Sequence, residues 1–219
     1  MQEIKEELKL VLKGRTWDAI IPPIVFTALL NVTTLLVAAL FAVLSAALLT
    51  IRRIYNKQPI GYAAAGFLSV LLATLFSVYR QQAGDFFLPG FITSGIFNLF
   101  LLISVFVKRP FAALASHISR GWPLDWFWRS DIRPAYSEVT LFWFFFFSLR
   151  WGFQFSLYLS DQLSSLALWN VVLSAPAIVI VLIFSYVYGM ARLRHLGGPG
   201  VDEYINNQTP PYRGQRRGF

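Results

Sequence analysis

The chain contains no cysteine, which excludes disulfides, thiolate chemistry and cysteine-based metal sites. Charge is also scarce. Only 14% of its 219 residues are charged, against about 25% in soluble domains. Acidic residues number eleven and histidines two. No acidic residue sits in the body of an apolar run, so a proton relay through buried carboxylates has no support. His117 and His195 lie beyond the ends of such runs, whereas axial haem ligands would face each other inside them. No phosphate-binding GxxxxGK[ST] loop, GxSxG elbow or HExxH string occurs. These absences leave no catalytic residue, cofactor site or metal site to nominate, and the chain reads as a protein that is not an enzyme.

What is present is apolar. Hydrophobic residues make up 56% of the chain and come in long runs. In lipid only helices or closed barrels satisfy the backbone. A barrel would show alternating segments of about ten residues, and none appears. An all-α, polytopic membrane protein is therefore expected. The net charge of +8 then speaks of orientation in the membrane and not of nucleic acid. The opening "MQEIKEELKLVLKGR" has no apolar stretch of the kind a signal peptide needs.

Four apolar segments are plain, at about 60–79, 86–107, 138–159 and 166–191. Before them Ala19 to Ile51 runs without a charge. As one helix that run would be about 50 Å long, against a hydrocarbon core of about 30 Å. Two spans, about 19–33 and 35–51, meeting at the polar and β-branched "NVTT" (Asn31–Thr34), fit better. With six spans and both termini cytoplasmic, all Lys and Arg residues except Arg80 and Arg150 fall on the cytoplasmic side. The expected division is an interfacial amphipathic helix over 1–14, a six-helix transmembrane domain over 15–195, and a disordered cytoplasmic tail over 196–219 rich in Gly, Pro and polar residues. "FAALASHISR" repeats the amphipathic pattern, and Trp122, Trp126 and Trp128 after it suit an interface belt. Two stripes of small residues, Ala38, Ala42 and Ala46 on the second span and Gly152, Ser156 and Ser160 on the fifth, would let helices approach closely.

The order of short strings carries a resemblance. "IPPIVF" opens the first span and "TIRRIYNKQPI" leaves the second. "DFFLPGFITSGIFNLFLLISVFVKRPF" forms the fourth and its exit, followed by "LFWFFFF" and "LWNVVLSAPAIVIVLIFSYVYG". Over roughly 14–195 this resembles the intracellular septation protein A family of bacterial inner-membrane proteins, and more closely its uncharacterised actinobacterial-type relatives. The resemblance implies a multi-pass protein of the bacterial cytoplasmic (inner) membrane that serves cell-envelope maintenance or division without catalysis. Its partners would be membrane lipids, other membrane proteins or further copies of itself. The amphipathic N-terminus and long basic tail depart from the shorter septation pattern.

The sharpest single feature is Arg150, a cation within the fifth span. Arg150, Gln154, Tyr158 and Asp161 follow at helical spacing and form a polar stripe toward the outer end. An arginine at mid-bilayer costs about 2.5–3.5 kcal/mol on translocon scales, so compensation is expected. Arg150 could snorkel outward, bond across helices to Asn98 or Asn170, or face a cavity and an anionic group such as a lipid phosphate. Asp85 and Asp161 are candidate counter-charges. A transporter or channel with Arg150 and Gln154 lining its path is the alternative reading. The shared spacing Pro22 to Asn31 and Pro89 to Asn98 would mark inverted halves in that case, or only helix starts. An accessory subunit of a larger membrane complex is a further alternative.

Overall fold

The computed structural model describes residues 15–57, 60–173 and 175–219. The amphipathic helix expected over 1–14 lies outside them. The described residues form helices and no strands. The helices are α1 (Arg15–Leu30), α2 (Leu35–Tyr55), α3 (Ile60–Arg80), α4 (Leu88–Phe106), α5 (Phe111–Arg120), α6 (Leu124–Trp128), α7 (Arg133–Leu159), α8 (Leu163–Val172), α9 (Ala175–Leu196) and α10 (Val201–Ile205), with a 3₁₀ turn at Ala83–Phe87. The charge-free run breaks at "NVTT", between α1 and α2.

Among the described residues three helical stretches are long and apolar enough to cross a membrane: Leu35–Tyr55, Ala83–Phe106 and Leu163–Leu196. That is three, against the six expected. Ile21–Leu30 and Ala64–Arg80 are shorter apolar helices. α7 has the length, but Arg150, Gln154 and its tryptophans dilute its apolar run. The sixth expected span is two helices, α8 and α9, and Pro176 stands in the first turn of α9, where a missing N–H is harmless.

The chain divides into two compact units. The first comprises residues up to Ser94 together with Arg150–Val179. Its burial is inverted relative to a soluble bundle. On α2 the buried positions are Ala38, Ala39, Ala42, Ala46 and, near its C-terminal end, Arg53, while Leu36, Leu40, Leu44 and Leu48 face outward, Leu36 and Leu48 at 66% and 68% exposure. Small side chains let backbones approach, and the leucines on the other face suit a hydrocarbon solvent. Phe26, Phe86, Phe87, Phe91 and Leu166 fill the rest of this core. Phe26 and Phe86 stack at 4.1 Å. The second small stripe does not pack: Gly152, Ser156 and Ser160 are exposed, and a Cβ on Gly152 would meet nothing.

The second unit comprises Gly95–Leu149 and Ile180–Phe219. Its core is aromatic. Trp126, Phe127 and Tyr136 are each 0% exposed and pack edge to face. Trp122 and Trp126 are therefore core residues and not an interface belt; Trp126 Nε1 donates to the Pro199 carbonyl at 2.9 Å. Hydroxyls satisfy the first N–H groups of α5, which no helical carbonyl can reach. Phe111 N donates to Ser104 Oγ and Ala112 N to Thr140 Oγ1, each at 3.1 Å. Arg192 clasps Glu138 through both Nε and Nη2, and Tyr188 donates to the same carboxylate.

The tail expected to be disordered is folded onto this second unit. Glu203 receives the backbone N–H groups of Gly200 (2.7 Å), Arg213 (2.7 Å) and Gly214 (3.1 Å). Those amide donors hold its carboxyl below the ordinary glutamate range. Val201 N donates to Gln215 Oε1, and Gln215 Nε2 donates to the Gly218 carbonyl. The last residue, Phe219, stacks on Tyr136 at 4.2 Å and lies against Gly189, where an added Cβ would overlap its ring. A Gly- and Pro-rich segment forms no core of its own, but here one carboxylate and one ring anchor it to a core already built.

Candidate functional site

The polar residues singled out in the fifth apolar segment lie on the last turns of α7, within the first unit. Arg150 and Gln154 are one helical turn apart and share a face. Asn170, on α8, accepts from both: Arg150 Nη2 and Gln154 Nε2 each approach its Oδ1 at 3.4 Å. Gln154 is buried, and Arg150 and Asn170 are half-buried. Among the described residues no carboxylate stands within ion-pair distance of Arg150. A 3.4 Å contact is at the long end for a hydrogen bond, so this pairing compensates the cation weakly.

The two expected counter-charges are elsewhere. Asp85, 1% exposed at the 3₁₀ turn, accepts from the Tyr158 hydroxyl at 2.8 Å and pairs with Arg80, whose Nε stands 2.9 Å from Oδ2. That second contact lacks the alignment of a hydrogen bond and leaves Oδ2 without a donor, so the attraction there is Coulombic. Asp161 is exposed in the turn after α7, at φ 53°, and pairs with no cation among the described residues. Asn98 falls in the second unit, buried, with its Oδ1 lacking a donor.

Sequence reading missed two participants. Arg80 stood out only as an exception to the charge bias, although "RQQAGD" places Arg80 and Asp85 with opposite charges across one short turn. The other is an aromatic ladder on α7. Trp151 and Phe155 stack at 4.9 Å, Phe155 and Tyr158 at 5.8 Å, and all three surround Phe91 of α4. Trp151 Nε1 also donates to the Phe91 carbonyl at 3.0 Å. This ladder sets the rotation of α7 that turns Arg150 and Gln154 toward Asn170. Gly84 completes the arrangement, since a Cβ there would come within 3.0 Å of the Tyr158 ring.

Beside this cluster the first unit holds a cleft of about 610 Å³. Its walls come from α1 (Pro23), α2 (Ala46 to Arg53), α3 (Ala65 to Ala73), the 3₁₀ turn (Phe86, Phe87), α4 (Pro89 to Ser94) and α8 (Asn170). Asn170 thus joins the Arg150 cluster to the cleft wall. Among the described residues no group of three His, Asp or Glu side chains is placed to hold a metal ion.

The family described as "Protein of unknown function (DUF3159)" matches residues 15–195, and the chain belongs to that family. No curated protein matches it, and no solved structure matches it.

Proposed function

We propose that this DUF3159 member is a multi-pass protein of the bacterial inner membrane, with six spans and cytoplasmic termini, that acts without catalysis in envelope maintenance or division through lipid or protein partners. The observation that carries the reading is the inverted burial of α2, with alanines inside and leucines outside. A water-facing helix would gain by burying those leucines; a lipid-facing one gains nothing by doing so. The resemblance to the intracellular septation protein A family supports the envelope role, and the absence of nucleophile and metal motifs from the sequence supports action by binding. Purification of the full chain in mild detergent, followed by native mass spectrometry, tests this. Co-purifying phospholipid or a stoichiometric membrane protein is the expected result. A solitary species carrying neither would overturn it. Because the chain has no cysteine, Asn31→Cys and Asn56→Cys also give a clean topology test, with labelling expected from outside the cell and inside it respectively.

A transporter is the second reading, favoured by Asn170, which lines the cleft and bonds Arg150 and Gln154. Chloride flux into proteoliposomes above the protein-free rate, abolished in Arg150→Ala, would select it over the first.

A further inference from the structure

The cleft of the first unit is kept open at some cost to its helices. Gly66 in α3 and Gly90 in the first turn of α4 line it, and a Cβ at either would meet nothing within 4 Å. Glycine is a poor helix residue, so an alanine or leucine would be favoured at both places if packing alone decided. The hydroxyls in the wall offer little to a polar solute. Thr50 Oγ1 donates to the Ala46 carbonyl, Ser69 Oγ to Ala65 and Thr93 Oγ1 to Pro89, all at 2.7–2.8 Å. Those donors are spent on their own helices, so these hydroxyls offer the cleft only acceptor lone pairs. Most of the remaining wall is apolar, Leu49, Phe67, Leu72, Phe86 and Phe87 among it, with Ser94 and Asn170 as its other uncharged polar members.

One end differs. Arg53, near the C-terminal end of α2, is the one charged residue among the described residues that line the cleft. It is 6% exposed and already engaged within the fold. On α3 the lining runs from Ala65 to Ala73, about 12 Å of helix. The cleft is therefore an elongated apolar trough with a guanidinium at the end near the α2–α3 connection.

We infer that this trough binds one anionic phospholipid, its acyl chain lying along α3 toward Phe86 and Phe87 and its phosphate at Arg53. The inference rests on the membrane reading above and narrows its partner to one lipid class at one site. A guanidinium matches a phosphate through parallel charge-assisted hydrogen bonds. An acyl chain is the occupant that suits walls whose hydroxyl donors are spent. A polar solute would find few donors along that wall.

The test uses the full chain in mild detergent, offered equal amounts of dioleoyl phosphatidylglycerol and dioleoyl phosphatidylcholine, with retained lipid counted by native mass spectrometry. Wild type is expected to keep one phosphatidylglycerol in preference to phosphatidylcholine. Gly66→Leu and Gly90→Leu fill the trough and lower that adduct several-fold with no loss of thermal stability. Arg53→Gln lowers the phosphatidylglycerol preference by about tenfold, the value of one charge-assisted contact. Equal retention of the two lipids by wild type, or unchanged adducts in both glycine variants, overturns the inference. Should Arg53→Gln fail to fold, the glycine pair decides alone. Failure of the membrane reading is separately visible, because the chain would then leave the membrane fraction on an alkaline carbonate wash before any lipid is added.

Discussion

Tyr158 donates its hydroxyl hydrogen to Asp85 across 2.8 Å, and that carboxylate is all but sealed from solvent. Asp85 is the most deeply buried acid in the described residues, at 1% exposure. A buried carboxylate persists only when donors or cations replace its water. Tyr158 supplies the aligned donor, and Arg80, 54% exposed, supplies the opposite charge. The pair ties the end of α7 to the turn between α3 and α4, which is the same end of α7 that carries Arg150 and Gln154.

Tyr158→Phe is expected to lower stability by about 1.5–3 kcal/mol, the range for a hydrogen bond to a charged group. Arg80→Gln is expected to cost less, about 0.2–1 kcal/mol, because water screens a cation that is more than half exposed. Thermal unfolding of both variants in detergent gives the ranking. The reverse order would mean that Coulomb attraction, and not the hydroxyl, holds Asp85 in place.

Arg150→Leu is expected to raise the unfolding temperature. In the membrane reading the cation costs about 2.5–3.5 kcal/mol at mid-bilayer, and its 3.4 Å contact to Asn170 returns little of that. Leucine has no such penalty. A stabilising effect would mark Arg150 as retained for what it binds or moves. A large loss of stability would instead make it structural glue between α7 and α8.

These relationships were unevenly legible in the sequence. The helical class and the break at Asn31–Thr34 were readable, because runs of apolar residues and polar interruptions act locally. So was the stripe Arg150, Gln154, Tyr158, since helical period alone sets it. Asn170 was one of two amides named for Arg150, but which of the candidate partners Tyr158 and Arg150 would meet was not readable. Asp85 could as well have faced Arg150 as Arg80, and only the ladder of Trp151, Phe155 and Tyr158 on Phe91 decides the rotation. Tryptophan gives no signal between membrane interface and core, and Trp126 turned out to be core because Pro199 offers a carbonyl to its indole. The tail read as disordered for a sound compositional reason. Its order comes from Glu203, which gathers backbone N–H groups of the tail itself, and from Phe219, whose partners Tyr136 and Gly189 lie far away in sequence.

Gly189→Val is expected to expel Phe219 from its seat. A Cβ at position 189 would overlap the Phe219 ring, and a β-branched side chain in α9 cannot turn aside. The tail carries Arg213, Arg216 and Arg217, so its release is read directly as faster tryptic cleavage at those three sites. Phe219→Ala should release the tail in the same way without touching α9. If neither variant speeds cleavage, the ring stack on Tyr136 does not hold the tail.

Docking of the tail should also weaken in acid. Backbone N–H groups of Arg213, Gly200 and Gly214 favour the ionised Glu203 and lower its pKa. A group whose pKa is depressed in the folded state stabilises that state above its ordinary pKa, and the contribution fades as pH falls through the folded value. Protection of the amides of residues 200–215 from hydrogen exchange, corrected for the intrinsic rate, should therefore decline as pH drops below about 5 and be flat above it. Glu203→Gln keeps the shape, lacks the charge, and should show weaker protection at neutral pH with most of the pH dependence gone. The Asp202–Arg217 pair is more than half exposed on both sides, so water screens it and it adds little to the docking. An unchanged slope in Glu203→Gln would show that the Glu203 carboxylate does not hold the tail.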